Sequence, residues 1–134
     1  MLLYGSETWT LKKDDIRRLE GCEMWFWRRM EKISWKEHMR NEDVLKRVGE
    51  RRSMKDTIWK RKARWLGHIM RSEGMLRTVM EGRAEGKRGR GRRRLAMLDD
   101  VREGREYHIV KEMALNRHRW RTMVHAGPAQ GQTT

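Results

Sequence analysis

From Lys13 to Ile33, apolar side chains recur at steps of three and four: Ile16, Leu19, Cys22, Phe26, Trp27, Met30 and Ile33. That spacing puts them on one face of a helix, and Asp14 and Asp15 fall in its first turn, where the helix dipole favours anions. Asn41 reads as the N-cap of a short second helix, with acidic Glu42 and Asp43 behind it and a stop at Gly49. The third helix, Met54 to Arg71, divides most cleanly into two faces. At about 100° per residue, Ile58, Trp59, Ala63, Trp65, Leu66, Ile69 and Met70 share one arc, and Lys60, Arg61, Arg64, His68 and Arg71 share the opposite one. Lys62 falls inside the apolar arc and is expected to snorkel its ammonium outward. Gly74 ends this helix, and Met75–Met80 reads as a short turn. A short helix at Leu95–Val101 follows, then one longer helix over Tyr107–His125 with Ile109, Val110, Met113, Trp120, Met123 and Val124 on one side. Only Met1–Trp9 has strand-like character. The pattern predicts an all-α protein, a small open bundle of four or five helices without internal repeats.

Composition narrows this picture. The 134 residues suffice for one small domain, which excludes a multidomain enzyme within them. Charged residues make up 39%, where about 25% is usual, and Leu, Ile, Val and Phe are scarce. Eleven Met and seven Trp supply apolar bulk in their place, although Met specifies packing poorly, so marginal stability is expected. No run of residues approaches the roughly eighteen apolar positions of a membrane helix, and Met1–Glu7 lacks the apolar region of a signal peptide. The expectation is an intracellular protein, nuclear or cytoplasmic, with no membrane partner and no secretion. Cys22 stands alone, so no internal disulfide and no zinc knuckle are expected.

The charge is uneven. Residues 1–50 hold 11 basic and 10 acidic side chains, residues 51–98 hold 16 and 4, and residues 99–134 hold 6 and 5. The middle third therefore carries nearly all of the net charge of +14, which points to a localised polyanion-binding surface. Within it, residues 82–94 read GRAEGKRGRGRRR. This run is either a solvated linker or a segment whose guanidinium groups grip phosphates and order on contact; a nuclear-import signal reads from the same residues. Arginine dominates it, and the planar fork of arginine matches phosphate geometry. The candidate nucleic-acid contacts are Lys60, Arg61, Arg64 and Arg71 on the third helix, and Lys87, Arg88, Arg90, Arg92, Arg93 and Arg94 in the run. The chain divides on this reading into a helical region at 1–81, a disordered basic linker at 82–94, a C-terminal helical segment at 95–125 and a disordered tail at 126–134.

Other motifs have simpler readings. Asp99-Asp100 could suggest a two-metal carboxylate pair, but it follows an Arg/Gly run in helix-forming sequence, so helix capping or a salt bridge to the basic linker is expected. His38, His68, His108, His118 and His125 have no nucleophile or second metal ligand at useful spacing, and surface positions are expected for them. No catalytic constellation, cofactor or metal site is predicted. Trp25 lies opposite the apolar stripe of the first helix between Arg18 and Arg29. It is expected to pack on a second neighbour, with stacking on a base or on another part of a larger protein as the alternative.

Several blocks occur in a particular order: Leu3-Tyr4-Gly5-Ser6-Glu7-Thr8-Trp9, Glu23-Met24-Trp25-Phe26-Trp27-Arg28-Arg29-Met30, Ile33-Ser34-Trp35, Asn41-Glu42-Asp43-Val44-Leu45, Arg64-Trp65-Leu66-Gly67-His68-Ile69-Met70-Arg71, the Gly-Arg run, Leu98-Asp99-Asp100-Val101 and Arg117-His118-Arg119-Trp120-Arg121. Together they resemble the C-terminal, thumb and post-polymerase part of the reverse transcriptase polyprotein of non-LTR, LINE-like retrotransposons of the RTE type. The resemblance spans roughly residues 2–125. It implies a helical region that holds nucleic acid (RNA, DNA or a hybrid) for a polymerase domain lying elsewhere. The palm aspartates and endonuclease carboxylates of that family have no counterpart here, so the resemblance implies no catalysis by these residues themselves. The chain departs from the family pattern at Leu95-Ala96-Met97, where an aromatic usually precedes Leu-Asp-Asp, and at Arg92-Arg93-Arg94, which lacks a frequent proline. Two other readings stay open: a helical module that docks on the polymerase domain, and a retroelement remnant without function.

Overall fold

A computed structural model describes residues 3–51, 53–81 and 97–128, and all of its regular structure is helical. Seven α-helices occur among the described residues: α1 Lys13–Met30, α2 Asn41–Val48, α3 Met54–Arg71, α4 Met75–Met80, α5 Asp99–Arg102, α6 Tyr107–Leu115 and α7 Arg117–Ala126. The expected linker at 82–94 and the tail beyond Pro128 lie outside the described residues. The chain forms two compact units, one from Leu11–Thr57 and the other from Met1–Thr10 with Ile58–Thr134. This division falls elsewhere than the composition-based boundaries, because contacts and not composition set it.

The unit of residues 11–57 is built from α1, α2 and the start of α3. Glu23 of α1 is buried, and its Oε1 accepts hydrogen bonds from the backbone N–H of Ser53 at 2.8 Å and of Met54 at 3.3 Å. A carboxylate from α1 thus satisfies donors that α3 leaves unpaired at its N-terminus. This draws the packing face of α1 round toward Glu23 and Met24, both buried, and away from Phe26 and Met30, which the sequence stripe had placed inward and which are 42% and 70% exposed. The helix ends at Met30, short of Ile33. The expected N-cap at Asn41 is one residue off: Arg40 holds the cap position, and Asn41 Oδ1 accepts from Arg28 Nη2 at 2.9 Å. Gly49 ends α2 with φ +75°, a conformation open to glycine at little cost.

The other unit has a single core. Trp59, Ala63, Leu66 and Met70 of α3 pack with Val101 of α5, Val110 and Ala114 of α6, and Trp120 and Val124 of α7. Trp120 is the keystone. Its indole Nε1 donates to the Ala63 carbonyl at 2.9 Å, and its ring lies so close to Gly67 that no Cβ fits there.

Four expectations need correction in this unit, the first being Met75–Met80, which is expected as a turn and forms the helix α4. The single helix over 107–125 is two helices, because Asn116 adopts an extended conformation and its side chain accepts from the Arg119 N–H at 3.1 Å, capping α7. The strand-like N-terminus forms a 3-10 turn at Ser6–Thr8 after Gly5, whose φ is +69°. Lys62 does not reach solvent: it is 3% exposed, and its ammonium donates to Asp100 Oδ2 at 2.5 Å and to the Trp9 carbonyl at 2.6 Å. A buried ammonium needs such partners, and tertiary packing supplies them where the helix alone offers none.

Candidate nucleic-acid interface

On the apolar arc of α3, Ile58, Trp59, Ala63, Leu66, Ile69 and Met70 are buried as the periodicity requires, and Trp65 at its edge is half-buried. The opposite arc is left outward, and from Thr57 to Ser72 the sequence contains no carboxylate. The fates of its cations differ. Arg64 and His68 are exposed, and Arg64 has no hydrogen-bond or ion-pair partner among the described residues. Lys60 is half-buried. Arg61 is committed elsewhere, with Nε 3.2 Å from Glu7 Oε1 and Nη1 donating to the Leu3 carbonyl at 3.0 Å. Its charge is partly offset by Glu7, and a phosphate contact by Arg61 would compete with this exposed pair. The folded N-terminal turn that brings Glu7 to it was not visible in the sequence.

Arg71 closes α3. Its Nη1 donates to the Ala114 carbonyl in the last turn of α6 at 2.7 Å, which fixes the guanidinium beside the corner at Asn116. Burial lowers its pKa from the ordinary arginine value, and repulsion from Arg117 and Arg121 lowers it further. These two α7 residues were not among the sequence-based candidates. Their spacing of four marks one face of a helix, but only the tertiary structure shows that this face borders α3.

The run Lys87, Arg88, Arg90, Arg92, Arg93 and Arg94 lies outside the described residues, but both of its flanks are held in the same unit as the α3 face. On one side, Glu81 Oε1 accepts from Tyr107 Oη at 3.2 Å and pairs with Lys111 Nζ at 2.7 Å. On the other, Asp100 pairs with Lys62, and its carbonyl accepts from Trp59 Nε1 at 3.2 Å. Asp99 and Asp100 occupy the first turn of α5, as the helix dipole favours, and Asp100 pairs with Lys62. Among the described residues, no group of three His, Cys, Asp or Glu side chains is gathered to hold a metal ion. No helix among them is long and apolar enough to cross a membrane. Trp25 is 59% exposed and meets Phe26 edge-on with ring centroids 5.3 Å apart.

No protein-family model, curated protein or solved structure matches the chain.

Proposed function

We propose that this chain binds nucleic acid through its phosphates without reading sequence, as the trailing helical part of a non-LTR retrotransposon reverse transcriptase whose palm and endonuclease lie outside it. The observation that carries the reading is the outer face of α3. There Lys60, Arg64 and Arg71 stand on an arc of α3 that contributes no carboxylate of its own, in the same unit as both flanks of the basic run. Guanidinium groups held on a folded frame lose less freedom on meeting phosphate than groups on a free chain do. Chemistry by the chain itself is not part of the proposal, and the work assigned to it is holding template, primer or target.

Binding to a DNA duplex and to an RNA–DNA hybrid, measured by fluorescence anisotropy from low to moderate salt, tests this. Engaging roughly six phosphates gives a slope of log affinity against log salt near −5. Replacing Arg92, Arg93 and Arg94 with Ala lowers that slope by about 2.7 and weakens every sequence alike. A flat salt response rejects the proposal. One observation favours a second reading, a protein-docking module: Met75, Leu76 and Val79 of α4 are 81%, 61% and 50% exposed. Salt-insensitive association with a polymerase domain, without affinity for nucleic acid, would select it.

A further inference from the structure

We infer that Arg71, Arg117 and Arg121 form one preformed phosphate-binding site on the seam between α3 and α7, and that its ligand is the sugar–phosphate backbone of a nucleic acid. The inference rests on the nucleic-acid reading above and adds to it the second wall of the interface, which the α3 face and the basic run do not contain.

The seam is fixed by contacts along its length. Arg71 donates to the Ala114 carbonyl just before the start of α7 at one end, Trp120 donates to Ala63 in the middle, and the Lys60 side chain lies beside Gly127 at the other end. The two helices therefore run antiparallel. Trp120 and Val124 are the buried residues of α7, and Arg117 and Arg121 border that stripe one turn apart. Both are exposed, and neither has a side-chain partner among the described residues. Arg71 is held from behind by the Ala114 carbonyl, which uses one of the five N–H donors of a guanidinium and leaves the others without a described partner.

Guanidinium groups of one charge repel one another, and among the described residues no carboxylate pairs with these three. Neither α7 nor α3 from Thr57 onward contains an acidic residue, and the acids nearest in sequence, Glu73 and Glu112, are exposed and make no ion pair with the three. Asn116 breaks the helix so that α7 begins at Arg117, three residues beyond the Ala114 carbonyl that holds Arg71. The corner that separates α6 from α7 is thus also the element that assembles the cluster. An anion with several acceptor oxygens restores balance there, and a phosphodiester presents them at the geometry of the arginine fork. Exposed Arg64 continues the cationic line along α3 for further phosphates of a polymer.

The test compares the full chain carrying Arg117→Gln and Arg121→Gln with a charge-matched control carrying Arg119→Gln and Arg18→Gln. Arg119 is on α7 but about 160–200° round the helix from the other two, and Arg18 is on α1. Circular dichroism first confirms unchanged helix content. With a labelled 20-base-pair duplex, the first variant is expected to lose about 1.8 from the salt slope and at least about tenfold in affinity at ~0.1 M salt. The control is expected to keep its slope. If wild type binds and both variants behave alike, the site is wrong and the broader reading survives. If wild type fails to bind duplex, hybrid or single strand, the reading and the site fall together. Millimolar inorganic phosphate that displaces the oligonucleotide better than chloride at equal ionic strength overturns the assignment to a polymer backbone.

Discussion

Gly67→Ala gives the most exacting test of how α7 is seated. Judged by the helix alone, the change should stabilise: glycine within α3 is about 0.8–1.0 kcal/mol less favourable than alanine. The tertiary contact opposes it. An added Cβ would meet the Trp120 indole at Nε1, with Cδ1 at 2.5 Å and Cε2 at 2.9 Å, well inside contact distance. The ring is 2% exposed and tied to the Ala63 carbonyl, so it has little room to retreat. Overpacking of this kind costs about 1–3 kcal/mol. If the indole moves, its N–H loses its acceptor while still buried, at a further cost of about 1–3 kcal/mol. With the indole displaced, the net expectation is destabilisation by about 1–5 kcal/mol, lowering Tm by roughly 4 °C for each kcal/mol in a chain of this size. Thermal melts followed by far-ultraviolet circular dichroism measure it, and the same change in a Trp120→Phe background should cost less, since a smaller ring leaves space. A Gly67→Ala protein that melts at or above the wild-type temperature would refute the seating of α7 on α3. Loosening the seam should also weaken duplex binding, because Arg117 and Arg121 are carried on α7.

Three further perturbations probe the other joints. Lys62→Ala strips Asp100 and the Trp9 carbonyl of their buried partner and should cost about 3 kcal/mol in urea unfolding, whereas Lys60→Ala, two positions earlier and half-buried, should cost under about 0.5 kcal/mol; equal effects would contradict the burial of Lys62. Glu23→Ala should destabilise by about 2 kcal/mol through loss of the charged acceptor at the start of α3, with Glu23→Gln milder because it keeps an oxygen there; denaturant midpoints of the two variants decide. Asn116→Ala removes the cap of α7 and should cost about 1 kcal/mol, while Asn116→Asp restores it; an Ala variant more stable than wild type would mean that the continuous helix is preferred.

The all-α class and the extents of α2 and α3 were legible in the sequence because each follows from local rules: a three-to-four spacing, acids at the start of a helix and glycine at its end. The buried arc of α3 was legible for the same reason. The basic run and the third-helix cations were equally plain as charge. What the chain could not disclose locally was which polar groups would meet. Lys62 looked like a residue bound for solvent until Asp100 and Trp9 arrived beside it, and Arg61 looked free until the N-terminal turn delivered Glu7. The break at Asn116 is invisible to apolar periodicity, which continues on both sides of it. Arg117 and Arg121 became candidates only when Trp120 seated α7 against Gly67 and turned them toward Arg71. Periodicity and charge are properties of neighbours along the chain and can be read one helix at a time. The pairing of charges depends on distances across helices, and only packing of the whole unit sets those.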